Sequence, residues 1–213
     1  MSENKTSVDD AYALKTPEDS IKLYKTWASS YDQDFAKTND YRSPYEISKY
    51  FDKYSKESDN PILDVGAGTG LVGELINYNQ NRNLIALDIS KEMLNKAQQK
   101  GCYNSFLEAD LTKELDIESS SIGSVVSAGT FTYGHVGPEA IDELLRITKS
   151  DGLFVLSIHS KLFYESGFDT KLNSLNEIIT MPKLHEVNVY GNHPDPDHSN
   201  QTIFVTVFRK KIK

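Results

Sequence analysis

The chain has 213 residues, 38% hydrophobic and 25% charged, which is the length of one α/β domain and the composition of a folded chain rather than a disordered one. A formal net charge of −8 argues against a broad phosphate-binding face, and no apolar run approaches the roughly 20 residues that cross a bilayer, so neither nucleic acid nor a membrane is an expected partner. A single cysteine, Cys102, excludes an intrachain disulfide framework, and the polar start Met1-Ser2-Glu3-Asn4-Lys5 lacks the apolar core of a secretory signal; the expected location is the reducing cytoplasm.

In chain order, residues 1–16 are polar and are expected to form a flexible N-terminus. Thr16-Pro17-Glu18-Asp19 reads as a helix start, with Thr16 as N-cap, Pro17 in the first turn and acids following. That helix carries Ile21, Leu23, Tyr24, Trp27 and Tyr31, and a second after Ser43-Pro44 carries Ile47, Tyr50, Phe51 and Tyr54 on one face. Beyond Asn60-Pro61 short apolar runs alternate with amphipathic stretches. Strands are expected at 61–65, 83–88, 102–107, 121–127 and 152–158, with helices at 71–78, 90–100 and 138–149 between them. This rhythm predicts right-handed βαβ units and a mostly parallel, doubly wound sheet. The last two runs, 185–190 and 202–208, have only a loop between them and should form an antiparallel hairpin, giving seven strands in all. The basic cluster Arg209-Lys210-Lys211 with Lys213 reads as a solvated tail. The run His193-Pro194-Asp195-Pro196-Asp197-His198 reads as turn chemistry rather than a metal site, so no metal is expected.

The most informative stretch is Ile62-Leu63-Asp64-Val65-Gly66-Ala67-Gly68-Thr69-Gly70. A strand enters a turn with glycines at alternate positions, which opens backbone conformations closed to other residues and lets a ligand touch the main chain. The dinucleotide spacing fails at Leu71, and the Gly-Lys-Ser/Thr of a P-loop is absent. An acid before the turn, Asp64, suits a ligand that lacks a pyrophosphate and carries positive charge, as S-adenosylmethionine does. Asp88, at the end of the second strand, is placed to accept from ribose hydroxyls. Asp110 after the third strand is placed for an adenine amino group, with Ile89 and Met93 as apolar walls.

In that order these pieces resemble the class I, Rossmann-like, S-adenosylmethionine-dependent methyltransferases, from Asp64 to Ser157. Trp27-Ala28-Ser29-Ser30-Tyr31-Asp32 and Thr130-Phe131-Thr132-Tyr133-Gly134-His135-Val136-Gly137-Pro138 are similar, more narrowly, to the methyltransferase-like proteins of the Williams–Beuren syndrome region. Gly123 and Ser150-Asp151-Gly152 depart from the family pattern, both in turns. The resemblance implies a domain at 17–213, with 17–58 as a helical lid and 59–213 as the core. It implies a cofactor set of Tyr31, Asp64, Gly66, Ala67, Gly68, Gly70, Asp88, Ile89, Met93, Asp110, Leu111 and Ser127.

Methyl transfer is a displacement helped by alignment and desolvation, and a general base is needed only for a nucleophile that holds its proton. His135, in the loop after the fourth strand, is the first candidate for base or acceptor ligand, followed by Tyr133 and His159. No Asn-Pro-Pro-Tyr-like segment follows the fourth strand, which with the acidic charge favours a small-molecule acceptor over a nucleic-acid base. Methylation of a protein side chain, cofactor binding without turnover, and a nicotinamide-dependent oxidoreductase are the competing readings, the last disfavoured by Leu71.

Overall fold

The computed structural model describes residues 8–77, 82–191 and 199–212. Seven strands form one sheet in the order β3-β2-β1-β4-β5-β7-β6. They are β1 (Ile62–Val65), β2 (Leu84–Asp88), β3 (Ser105–Glu108), β4 (Ile122–Phe131), β5 (Thr148–His159), β6 (Lys183–Asn188) and β7 (Thr202–Arg209). Strands β1 to β5 pair in parallel, and β7 runs antiparallel to both β5 and β6. The parallel sheet with a final antiparallel hairpin is the expected architecture. Its direction of winding reverses between β1 and β4, which opens a crevice at the strand ends there.

The helices are α1 (Val8–Tyr12), α2 (Pro17–Trp27), α3 (Ser43–Tyr54), α4 (Leu71–Ile76), α5 (Lys91–Gln99), α6 (Ala140–Ile147), α7 (Ser160–Glu165) and α8 (Phe168–Ser174). Successive strand residues face opposite ways. Ile62, Val126, Val155 and Val207 join Trp27, Ile47 and Phe51 in one apolar layer. Leu63, Val125, Phe154 and Phe208 join Ile141, Leu144 and Phe168 in the other. No helix among the described residues is long and apolar enough to cross a membrane.

Thr16 caps α2 as its sequence predicts. Its hydroxyl accepts from the Asp19 N–H at 3.1 Å, and the Asp19 carboxylate accepts from the Thr16 N–H at 3.2 Å. The helix stops at Trp27, however, and Tyr31 opens a separate π-helical turn, Tyr31–Lys37. Ser90 caps α5 through the Met93 N–H.

Several expectations are corrected. Within the supposedly loose 1–16, α1 forms and Ala11 and Leu14 are buried. Strand β4 continues to Phe131 rather than ending at Ser127, β5 begins at Thr148 rather than Gly152, and the short helices α7 and α8 had no sequence reading. Arg209, the last residue of β7, and Lys210 after it are not part of a solvated tail. Arg209 pairs with the buried Asp59 at 2.8 Å and donates to the Tyr54 carbonyl, while Lys210 donates to the carbonyls of Leu145 and Thr148. Tyr78, the run His193–His198 and Lys213 lie outside the described residues.

Candidate active site

A cavity of about 390 Å³ opens over the strand ends at the winding reversal, a size usual for small-ligand sites. Its floor begins at the glycine turn. Gly66 and Gly68 take positive φ, 65° and 54°, in the left-handed region that favours glycine. A Cβ on Gly66 would collide with the Thr130 side chain, whereas one on Gly68 would stand in open space with no atom within 4 Å. The turn is fixed at its base by the Ala67 N–H, which donates to the Leu87 carbonyl at 3.0 Å. Gly66 and Gly68 line the cavity; Ala67 does not, and Gly70 heads α4 and backs onto Tyr103 and Ala97.

Asp88 lines the cavity beside this turn. Its Oδ2 accepts from the Gly68 N–H at 2.7 Å and its Oδ1 from the Ser90 N–H at 2.8 Å. Burial raises its pKa above the ordinary carboxylate range, and the N–H donors of Ser90 and Gly68 oppose that rise. Ile89, Met93, Asp110 and Leu111 line the same end. Asp110 is held by the Thr112 N–H at 2.9 Å and pairs with Lys113 at 3.1 Å.

Asp64 and Ser127 sit elsewhere than expected. Asp64 is fully buried and does not line the cavity; its Oδ2 accepts from the Tyr103 hydroxyl at 2.6 Å, and its Oδ1 has no hydrogen-bond partner. The Tyr103 hydroxyl in turn accepts from the Gly73 N–H at 3.1 Å. Ser127 is also buried, its hydroxyl donating to the Val65 carbonyl at 2.8 Å. Thr130 donates to that same carbonyl at 2.9 Å and does line the cavity, in the place expected for Ser127.

The two histidines differ in a way no local pattern reveals. His135 lines the cavity, but both of its nitrogens are engaged. Nδ1 lies 2.7 Å from the Tyr133 carbonyl and Nε2 lies 2.8 Å from the Tyr24 hydroxyl. A carbonyl only accepts, so Nδ1 carries the proton and Nε2 accepts from Tyr24, leaving no lone pair for a substrate proton. His159, at the end of β5, lines the cavity at 5% exposure, and neither of its nitrogens has a hydrogen-bond partner. Burial lowers its pKa, with Lys161 adding to the effect, so the ring is neutral. Tyr133 does not line the cavity; its ring packs against His159 at 4.9 Å and Tyr12 at 5.8 Å.

The roof comes from the N-terminal helices. Tyr24, Trp27, Tyr31 and Phe35 form a continuous ring cluster, with Tyr31 5.0 Å from Trp27, and all four line the cavity. Two contributions escaped the sequence reading. Ala11, Tyr12 and Lys15 belong to the wall, and the Tyr12 hydroxyl donates to Gln201 at 2.7 Å. Asp32 accepts from the Thr69 hydroxyl and pairs with Lys100 at 2.8 Å, tying the π-helical turn to the glycine turn. The only advance signal for Asp32 was its place in the Trp27–Asp32 motif. Among the described residues no group of three or more His, Cys, Asp and Glu side chains can hold a metal ion.

These residues fit S-adenosylmethionine. Gly68 leaves open space at the turn, Asp88 offers a carboxylate beside it, and an apolar slot follows. Residues 63–156 match the family model "Methyltransferase domain". The chain is 30% identical over 186 residues to human methyltransferase-like protein 27, covering 83% of this chain and 74% of the relative. A malonyl-[acyl-carrier protein] O-methyltransferase of Pectobacterium atrosepticum is 31% identical over 96 residues, 45% of this chain and 37% of the relative. In fold, the chain is similar to an S-adenosyl-L-methionine-dependent methyltransferase of Methanococcus maripaludis, so described in its structure as putative, with a TM-score of 0.61, 16% identity and 100% and 98% of the two chains covered. It is also similar to a protein solved as the putative methyltransferase in complex with the Haloferax volcanii Trm112 methyltransferase activator, with a TM-score of 0.67, 16% identity and coverage of 91% and 98%. The chain belongs to the class I S-adenosylmethionine-dependent methyltransferases. Within them it is similar, over 83% of its own length, to methyltransferase-like protein 27.

Removing the Asp88 carboxylate measures its share of cofactor binding. Asp88→Ala is expected to weaken binding of S-adenosylhomocysteine by about 1–3 kcal/mol, the scale of hydrogen bonds to a charged group. Calorimetry checks this, and a change of only a few tenths would place the ribose elsewhere.

Proposed function

We propose that this enzyme transfers its methyl group to a small molecule held over β4, β5 and β7. The observation that carries this reading is the continuation of the cavity. It passes from Gly68 and Asp88 over β1 and β2 to Thr130, Ser157, His159 and Ile203 on the other half of the sheet, under a roof supplied by α1 and α2. That second half is walled by side chains of this chain, which supports a compact acceptor.

When bound, S-adenosylmethionine supplies an electrophilic methyl carbon on a sulfonium whose departure leaves a neutral thioether. The chain's own part is to hold and exclude. Asp88, already oriented by Gly68 and Ser90, receives the ribose hydroxyls. Asp110 and the Ile89–Met93–Leu111 slot would hold the adenine, and the Tyr31 ring in the cavity roof would offer a π face to positive charge. The aromatic roof keeps water from the reacting centre.

The test is incubation with radiolabelled S-adenosylmethionine in two fractions of one lysate, metabolites below the size of a peptide and total protein. Label is expected in the metabolite fraction. Label confined to a protein band would establish the side-chain methyltransferase reading in its place.

A further inference from the structure

The acceptor half of the cavity has a distinctive charge balance. Among the described lining residues the only carboxylates are Asp88 and Asp110, both at the cofactor end over β2 and β3, and the only lysine or arginine is Lys15, which is exposed. The walls over β5 and β7 are Tyr12, Val189, Tyr190 and Ile203, with His159 between them. Apart from the sulfonium of the bound donor, an anionic acceptor buried here finds no cation among the lining side chains, and an ammonium finds no carboxylate. Either would give up its hydration with no protein group to replace it. The lining therefore favours a neutral acceptor.

One polar group in this half lacks a partner. His159 is almost wholly buried, and both of its nitrogens are without hydrogen bonds. A neutral imidazole carries one lone pair and one N–H. Leaving both unmet in a buried site is costly. The two nitrogens point apart, so one ligand atom meets only one of them, and a ligand hydroxyl would donate to the nitrogen that carries the lone pair. The Tyr12 ring, which lines the cavity, stands edge-on to the imidazole at 6.4 Å and 80° and offers aromatic surface for a flat ring to meet, while the Tyr133 ring packs on the imidazole from outside the cavity at 4.9 Å and 63°.

From this geometry we infer that the acceptor is an uncharged phenol-type compound whose hydroxyl hydrogen-bonds to His159. The inference rests on the small-molecule reading above and narrows it. A phenol, with a pKa of about 10 like tyrosine, passes its proton to an imidazole during methylation more readily than the more weakly acidic aliphatic alcohol does. As the phenol oxygen forms its bond to the transferred carbon, the carbon–sulfur bond breaks and leaves its electron pair on sulfur. The O–H bond breaks and its proton moves to the free nitrogen of His159, from which water removes it. His159 is thus the catalytic base, and His135, with both nitrogens engaged, positions Tyr24 in the roof.

Three probes with one ring system and different charge test the inference: naphthol, naphthoate and naphthylmethylamine, titrated into enzyme saturated with S-adenosylhomocysteine. Naphthol is expected to bind at least about 10-fold more tightly than either charged probe, and His159→Phe to lose about 10-fold in naphthol affinity with S-adenosylhomocysteine binding unchanged. His159→Gln, which keeps hydrogen-bonding capacity but is no base, should retain naphthol binding and lose methylation. Tighter binding of either charged probe, no binding of any probe, or a His159→Phe variant that holds S-adenosylhomocysteine and naphthol like the wild type would each overturn it. A labelled metabolite combined with failed naphthol binding would reject the phenol class alone. Label confined to protein would reject the reading on which it rests.

Discussion

Gly68→Val is expected to fold and to lose roughly 100-fold or more in affinity for S-adenosylhomocysteine, the scale on which overfilling a packed contact disrupts it. Two effects act on that residue. Its φ of 54° strains any β-branched replacement, and its missing Cβ faces open cavity rather than protein. The first effect is felt by the fold and the second by the ligand. Gly101 separates them. It also has positive φ, 67°, and a Cβ there likewise meets nothing within 4 Å, but it follows α5 and does not line the cavity. Gly101→Val should therefore lower the melting temperature about as much as Gly68→Val and leave affinity unchanged. Calorimetry and thermal melts on the two variants check this; equal affinity in both would remove the glycine turn from the binding site.

Asp64→Asn is expected to reverse its effect on stability with pH. Burial pushes the Asp64 carboxyl up to about 7 from the ordinary 3.8, against the Tyr103 hydrogen bond and with some help from the Asp88 charge. A carboxyl raised in the folded state contributes its full stability below the unfolded pKa and loses it as pH rises through the folded one. The window for Asp64 therefore runs from about pH 4 to about pH 7. Asparagine keeps an acceptor for Tyr103 and cannot ionise. Near pH 4 the variant should be no more stable than the wild type; near pH 8 it should be more stable, by up to about 4 kcal/mol. Denaturant unfolding across that range gives the difference directly. A flat difference would mean that Asp64 ionises in the fold as freely as in water.

What was legible in the sequence had a local cause. The glycine turn needs positive φ within a few residues of a strand, and the placement of Asp88 follows from strand length. The antiparallel hairpin follows from a connection too short for a crossover. What escaped depends on partners far along the chain. Ser127 looked like a strand-end ligand because Gly129 and Thr130 looked like loop, yet β4 absorbs them through a register shift against β5 between Ser127 and Phe131. His135 looked more promising than His159 until its nitrogens were found spent on Tyr24, 111 residues away, and on the Tyr133 carbonyl. The place of Tyr12 depends on Gln201, 189 residues on, and that of Arg209 on Asp59, 150 residues back. Neither polarity nor periodicity encodes a meeting at such distance.

The position of β7 between β5 and β6 carries a consequence for assembly. Strand β6 is translated first, yet its backbone joins the ladder only through β7, so it must wait for a neighbour that emerges later from the ribosome. In the ladder itself β7 cannot leave without releasing β6, which is also tied by the His185–Tyr50 stack and, just beyond it, by the bridge of Tyr190 to Tyr41. Val189 and Tyr190 follow β6 directly, and Ile203 belongs to β7. On the proposed reading, the wall of the acceptor half is therefore completed last, while Gly68 and Asp88 follow the early, inner strands β1 and β2.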